Sequence, residues 1–157
     1  IEEQAAELPN LHLVGYQPVS RLTEVLASGD VHAVVLKRGL GDVSVPSKTY
    51  SSLAAARPVV AAIDPGTAVP ELLAEAGAGV SVAPDDADAF VAALRAVLDD
   101  PQRRAELGAS GRRWAVEHAS PAAVGAAYEN VLRSTVAATD PNTGSRRGRG
   151  PGRWGRR

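Results

Sequence analysis

The residues of this chain best suited to hold an anion are Pro46, Ser47 and Lys48. They stand where a loop is predicted to become a helix, and Lys48 is one of only two lysines among 157 residues. A hydroxyl, an ammonium group and the unpaired N–H groups of a helix start are chemically suited to a phosphate. The segment therefore predicts a phosphate-binding corner, and a solvated surface lysine is the plain alternative.

Two further segments could line the same site. The turn at Gly66, Thr67 and Ala68 follows an apolar run and opens a predicted helix, so its backbone N–H groups could face phosphate oxygens. A turn that merely starts a helix is an equal alternative. Gly15 and Tyr16 end an earlier apolar run, where Tyr16 could equally be a core aromatic residue.

Apolar runs and helical spacing predict the elements that position these residues. Strands are expected at 11–16, 31–36, 58–63 and 80–84. Helices are expected from Ser20 to Gly29, after Ser47 as N-cap, at 67–76, from 85 to 98, from 101 to Gly108, after Gly111, and from Pro121 with Ser120 as N-cap. Alternating strands and helices indicate an α/β fold, with an open parallel Rossmann-like sheet, flanking helices and a helical C-terminus.

Ligands of such sheets bind beyond the carboxyl ends of the strands. The loops 15–18, 37–48 and 64–67 are therefore expected to converge on one crevice. Composition narrows the chemistry further, because the chain has no cysteine for a disulfide, a thiolate zinc site or a nucleophile. It contains no apolar run of about 18 residues and no signal-peptide pattern. A start at Ile1 without methionine suggests a fragment of a longer protein.

A basic tail is predicted after the folded part. We expect a domain at 1–136 and a disordered Arg/Gly-rich tail at 137–157. From Ala138 onward there are six arginines and one acid, Asp140. A solvated extension, contact with anionic lipid and contact with RNA are the alternatives, and no DNA is expected.

Several motifs, in order and spacing, resemble the C-terminal domain of GT-B glycosyltransferases of the family 4 type. The segment 45–50 resembles the "PSK-x-Y" variant found in polysaccharide and lipid-linked glycan transferases. Supporting similarities are a glycine-ended strand at 10–16, "LAAGRPVV" at 53–60, an "EAGAG" run at 74–89 and a "DPELRARLGANGRR" segment at 100–113. The resemblance covers residues 1–134.

The resemblance implies a donor site for a nucleotide-diphosphate sugar, with transfer to a glycan or lipid-linked acceptor. It places Lys48 near the diphosphate beside Pro46 and Ser47, and Gly15 and Tyr16 beneath the base. It also places Gly66, Thr67 and Ala68 near the pyrophosphate or sugar, and Ser51 near the ribose. No catalytic residue, metal or cofactor is assigned to this chain, since the acceptor site belongs to a missing N-terminal domain. A cytoplasmic protein is expected, with peripheral contact at the inner membrane face as an option.

Three positions depart from the family pattern. Val43 and Ser51 stand where many members carry glutamates, and Ala56 stands where glycine is usual. These differences favour an alternative, in which the chain is a degenerate or non-catalytic binding module with a working basic tail. A generic dinucleotide-binding domain is disfavoured because no G-x-G-x-x-G turn follows a strand. The histidines are expected to be packed rather than catalytic, and no acid and histidine cluster indicates a metal site.

Overall fold

The computed structural model of the chain describes residues 3, 5 and 7–139. The expected disordered tail lies almost entirely outside the described residues. The chain divides into two compact units, Ile1–Glu117 and His118–Arg157. The predicted boundary near position 136 stays a prediction.

The first unit is a parallel sheet flanked by helices, which confirms the predicted fold class. The strands are β1 (His32–Val35), β2 (Val59–Ala62) and β3 (Gly79–Val82), in the order β1-β2-β3 with both pairs parallel. The helices are α1 (Leu22–Ser28) after a 3-10 turn at Val19–Arg21, α2 (Lys48–Ala54), α3 (Ala68–Ala76), α4 (Ala87–Leu98) and α5 (Pro101–His118). Each crossover between strands contains a helix, as parallel pairing requires.

The central strand β2 is buried on both faces. Val59, Val60 and Ala61 are fully buried, which is the pattern of a strand with helices on either side. Val59 and Ala61 pack in one core cluster with residues of α2 and α3, including Leu53 and Leu73. Helix α4 contacts β2 and β3 and contributes the buried Val97. The apolar run at 58–63 therefore folds as its composition predicts.

The predicted strand at 11–16 is wrong. These residues have no regular secondary structure, and Leu11, Leu13, Val14 and Tyr16 are exposed. A β-strand needs a neighbour that accepts and donates its backbone hydrogen bonds. The described three-stranded sheet gives this segment no such neighbour, so alternating apolar residues alone do not make it a strand.

The predicted break between Gly108 and Gly111 is also wrong, because α5 runs without interruption through both. Both glycines are buried. A Cβ at position 108 would overlap the carbonyl oxygen of Ala56, and one at 111 would lie 2.9 Å from Leu53 Cδ2. The two glycines therefore allow α5 to pack closely against Ala56 and Leu53, and they do not end the helix.

The second unit contains one described helix, α6 (Pro121–Thr139). The predicted cap is confirmed, since Ser120 Oγ accepts a 3.2 Å hydrogen bond from the N–H of Ala123. Glu129 and Arg133 are its only charged residues, and they form an ion pair at 2.5 Å. No helix of the described residues is both long enough and apolar enough to cross a bilayer.

Candidate functional site

A groove of about 510 Å³ lies between the segment that precedes α1 and the start of α2. Its lining includes three of the predicted donor-site residues, Gly15, Tyr16 and Lys48. Lys48 is the one charged side chain among the lining residues; the others are Val14, Gln17, Pro18, Val19, Leu22 and Val25. The structure thus brings together a cation and an exposed aromatic ring, which come from segments about thirty residues apart.

Local backbone geometry sets the direction of the Pro46–Lys48 corner. The N–H of Thr49 donates to the Pro46 carbonyl at 3.0 Å, and the N–H of Ser51 donates to the Ser47 carbonyl at 3.3 Å. Ser47 and Lys48 are exposed at the first turn of α2. The cap predicted for Ser47 is wrong, because its backbone is already helical (φ −59°, ψ −24°) and its hydroxyl makes no capping bond. An N-cap side chain needs extended backbone to reach the N–H groups ahead of it.

The glycine turn after β2 is held by internal hydrogen bonds. Gly66 has a φ of +75°, which suits glycine. Thr67 is buried, and its hydroxyl donates to the Asp64 carbonyl at 2.7 Å. Ala68 is exposed and begins α3. The Thr67 side chain makes no capping bond to α3.

Asp64 connects this turn to the long loop after β1, a connection that sequence reasoning missed. Its Oδ2 accepts hydrogen bonds from the N–H of Gly39 at 2.8 Å and of Gly41 at 3.1 Å. Gly41 is itself packed against Thr67, where a Cβ would lie 2.8 Å from the hydroxyl oxygen. An acid that directly follows a buried strand was the available signal, because strand ends of a parallel sheet share one edge.

The three predicted loops are therefore linked in pairs. Loop 15–18 shares the groove with Lys48, and residues 39–41 of the long loop contact the turn at 64–67. Gly66, Thr67 and Ala68 are not among the lining residues of that groove. That all nine predicted residues bind one ligand stays a prediction.

Ser51, three residues after Lys48 on α2, lines a smaller groove of about 260 Å³ between α1, α2 and Arg112. Its hydroxyl is 3.5 Å from the Ser47 carbonyl oxygen, at the limit of a hydrogen bond. Val43 is 77% exposed. Neither side chain supplies a carboxylate at the positions where the resemblance would place one.

A second cavity of about 400 Å³ opens at the carboxyl ends of β1 and β2, and it was not predicted. Its lining includes the apolar residues Val35, Ala62 and Phe90 and the charged residues Lys37 and Asp85. Asp85 has a φ of +64° and is fixed by Arg38, whose Nε lies 3.2 Å from Asp85 Oδ2. Aspartate tolerates this left-handed conformation better than most residues do. The other lysine of the chain thus belongs to a different cavity from Lys48.

The three histidines lie in different surroundings. The ring of His32 makes a 2.9 Å hydrogen bond with the Leu26 carbonyl, which joins the end of α1 to β1. His12 and His118 are exposed, contrary to the expectation that they are packed. Among the described residues, no group of three or more His, Cys, Asp or Glu side chains could hold a metal ion.

A three-stranded parallel sheet flanked by helices defines a protein of the Rossmann-like α/β class. Comparison with known families narrows this class. The sequence model of the family described as "Glycosyl transferases group 1" matches residues 1–100. The chain belongs to this glycosyltransferase family, which confirms the resemblance of its motifs.

One curated relative supports the same conclusion. The chain is 34% identical over 86 residues to "Probable glycosyltransferase WbjE" of Pseudomonas aeruginosa. The aligned stretch covers 55% of this chain and 21% of that protein. The chain therefore spans about a fifth of the length of the relative that it matches.

Proposed function

We propose that this chain is the donor-binding domain of a glycosyltransferase that uses a nucleotide-diphosphate sugar. The observation that carries the proposal is the shared groove of Lys48, Gly15 and Tyr16 in a chain of this family. An ammonium group attracts a diphosphate, and an exposed aromatic ring offers a face for a base. The groove volume of about 510 Å³ lies within the range of small-molecule sites.

In the intact enzyme the glycosyl group passes to a glycan or lipid-linked acceptor bound by another domain. The bond between the anomeric carbon and the diphosphate oxygen breaks, and that oxygen keeps the electron pair. The acceptor's hydroxyl oxygen forms the new bond to the anomeric carbon, and its proton passes to the departing diphosphate or to water. The nucleoside diphosphate then leaves with one more negative charge than it carried in the donor. The Lys48 ammonium stabilises this charge as it develops.

Isothermal titration calorimetry of the full-length protein with UDP, GDP and their sugars measures donor affinity and tests this proposal. Lys48→Ala is expected to weaken binding of the preferred nucleotide roughly 10- to 100-fold, since a hydrogen bond to a charged group contributes about 1.5–3 kcal/mol. Lys37→Ala is the matched control, because Lys37 lines the other cavity. A folded protein that binds none of these ligands would contradict the proposal, and equal effects of the two substitutions would remove Lys48 from the site.

A second candidate is a binding module that does not catalyse transfer. It is favoured by Val43 and Ser51, which leave the site without the two carboxylates that the family resemblance implies. The measurement that separates the candidates is transfer by the full-length protein after nucleotide binding has been established. Tight nucleotide binding without turnover on any acceptor would favour the module.

A further inference from the structure

One wall of the groove that contains Lys48 is formed by α1 and the segment before it. Leu22 and Val25 of α1 line the groove together with Tyr16. No residue of α1 is buried, and a second groove of about 260 Å³ lies between α1 and α2. A helix of 7 residues is not stable by itself. Since burial of apolar side chains contributes little here, other contacts must hold this wall in place.

Two side chains from outside α1 donate hydrogen bonds to its C-terminal end. Arg57 Nη2 donates to the carbonyl of Ala27 at 2.5 Å, and His32 Nε2 donates to the carbonyl of Leu26 at 2.9 Å. The last four carbonyls of a helix have no partner within it, and a cation at this end is favoured by the helix dipole. These two bonds therefore fix α1 on the rest of the first unit.

Arg57 connects the two walls of the groove. It stands between β2 and α2, the helix that begins at Lys48, and its backbone N–H donates to the carbonyl of Ser52 in α2 at 3.0 Å. Its side chain reaches α1, 30 residues earlier in the chain. The distance between Lys48 and the wall that includes Tyr16 thus depends on this guanidinium group.

We propose that Arg57 is a positioning residue of the donor site, with His32 as a second anchor of the same helix. Neither residue lines the groove. Arg57 acts through α1, which it holds where Tyr16 meets the base of the donor while Lys48 meets the diphosphate. The inference rests on the proposed donor site.

Titration of the full-length protein with UDP, GDP and pyrophosphate tests the proposal. Arg57→Leu removes the donor and should weaken binding of the preferred nucleoside diphosphate about tenfold, as expected when the groove has its binding shape about a tenth of the time. Pyrophosphate has no base, so its affinity, measured by displacement of the nucleotide, should be unchanged. Lys48→Ala should instead weaken both ligands. Arg57→Lys keeps a donor for the single carbonyl and should restore most of the nucleotide affinity.

Two further comparisons separate positioning from a general loss of stability. Val97→Ala removes buried methyl groups of α4 outside the groove lining and should leave both affinities unchanged. His32→Leu should weaken nucleotide binding alone, whereas His32→Gln should not, because its amide can donate in place of the ring nitrogen. The Nε of Arg57 is buried without a hydrogen-bond partner among the described residues. Leucine therefore also removes a buried polar group whose burial costs free energy.

Equal nucleotide affinities of the leucine and lysine variants at position 57 would overturn the proposal, and so would a parallel loss of pyrophosphate binding. Either result leaves the donor site standing, since the unchanged protein still binds the nucleotide. If Arg57→Leu does not fold, the two His32 variants decide by the same criteria. A folded, unchanged protein that binds neither UDP nor GDP would overturn both the donor site and this inference.

Discussion

The carboxylate of Asp64 accepts a 2.8 Å hydrogen bond from the backbone N–H of Gly39. The same oxygen accepts a second hydrogen bond, of 3.1 Å, from Gly41. One side chain at the end of β2 thus fixes the first part of the long loop that leads from β1 to Lys48. The position of the Pro46–Lys48 corner depends on this loop, so Asp64 affects the candidate site without lining its groove.

Replacing Asp64 by alanine is expected to loosen this loop. Two hydrogen bonds to a half-buried charged acceptor are lost, for which we expect a decrease of about 1–3 kcal/mol in the free energy of unfolding. Hydrogen exchange measured by NMR should show faster exchange at the amides of Gly39 and Gly41. Asp42→Ala removes an exposed acid of the same loop and should leave both amides unchanged. Unaltered exchange in the Asp64 variant would show that the loop is held by other contacts.

Two glycines of the long helices should respond to alanine with opposite signs. Gly108→Ala places a Cβ against the Ala56 carbonyl and is expected to lower the free energy of unfolding by about 1–3 kcal/mol or more. Gly125 in α6 has no atom within 4 Å of an added Cβ. Gly125→Ala should therefore stabilise its helix by about 0.5–1 kcal/mol. Thermal unfolding and helical circular dichroism measure both, and a neutral Gly108→Ala would contradict the close packing of α5.

The sheet was predictable because its strands are short apolar runs with Pro or Gly boundaries. Positions 31–36 and 58–63 each contain a strand of the structure and 80–84 overlaps the third, which begins one residue earlier; the parallel arrangement follows from the helices between them. The segment 11–16 has the same apolar character, but its secondary structure depends on a partner strand. A single sequence does not say whether such a partner is present, and none of the described strands pairs with it.

Only part of the candidate site was open to prediction. Strand-end geometry predicted that Lys48 and the loop 15–18 meet at one crevice. Lys48, Gly15 and Tyr16 do line one groove, although the segment 11–16 is not a strand. The Asp64 contacts and the buried glycines of α5 arise from packing between segments 20 to 60 residues apart, about which local periodicity carries no information. Gly108 and Gly111 look like helix breakers until the neighbouring Ala56 and Leu53 are known.

The side-chain hydroxyl of Thr49, next to Lys48, is expected to lower the free energy of unfolding. Thr49 is fully buried in α2, and its Oγ1 has no hydrogen-bond partner among the described residues. Thr49→Val replaces the hydroxyl by a methyl group of similar size, so we expect the free energy of unfolding to rise by about 1 kcal/mol. Ser52→Ala is the control, because Ser52 Oγ donates to the Lys48 carbonyl at 2.8 Å and should give no comparable gain. Urea unfolding of the two variants decides the matter, and a destabilised Thr49→Val would mean that the hydroxyl is satisfied in solution.

Ala56 shows why the family pattern has glycine at this position. It follows α2 with a φ of +57°, a left-handed conformation that costs an L-residue with a Cβ roughly 1–2 kcal/mol. Ala56→Gly relieves this strain and is therefore expected to raise the free energy of unfolding by about 1 kcal/mol. The gain is reduced because glycine also increases the conformational entropy of the unfolded chain.

The adjacent Ala55, whose φ is −83°, provides the matched control. Ala55→Gly brings the same entropic cost without relief of strain, so it should lower the free energy of unfolding by about 0.5–1 kcal/mol. Chemical denaturation of the two variants measures this difference in sign. A loss of stability in both would mean that Ala56 is not strained, and the glycine of the family pattern would then need another explanation.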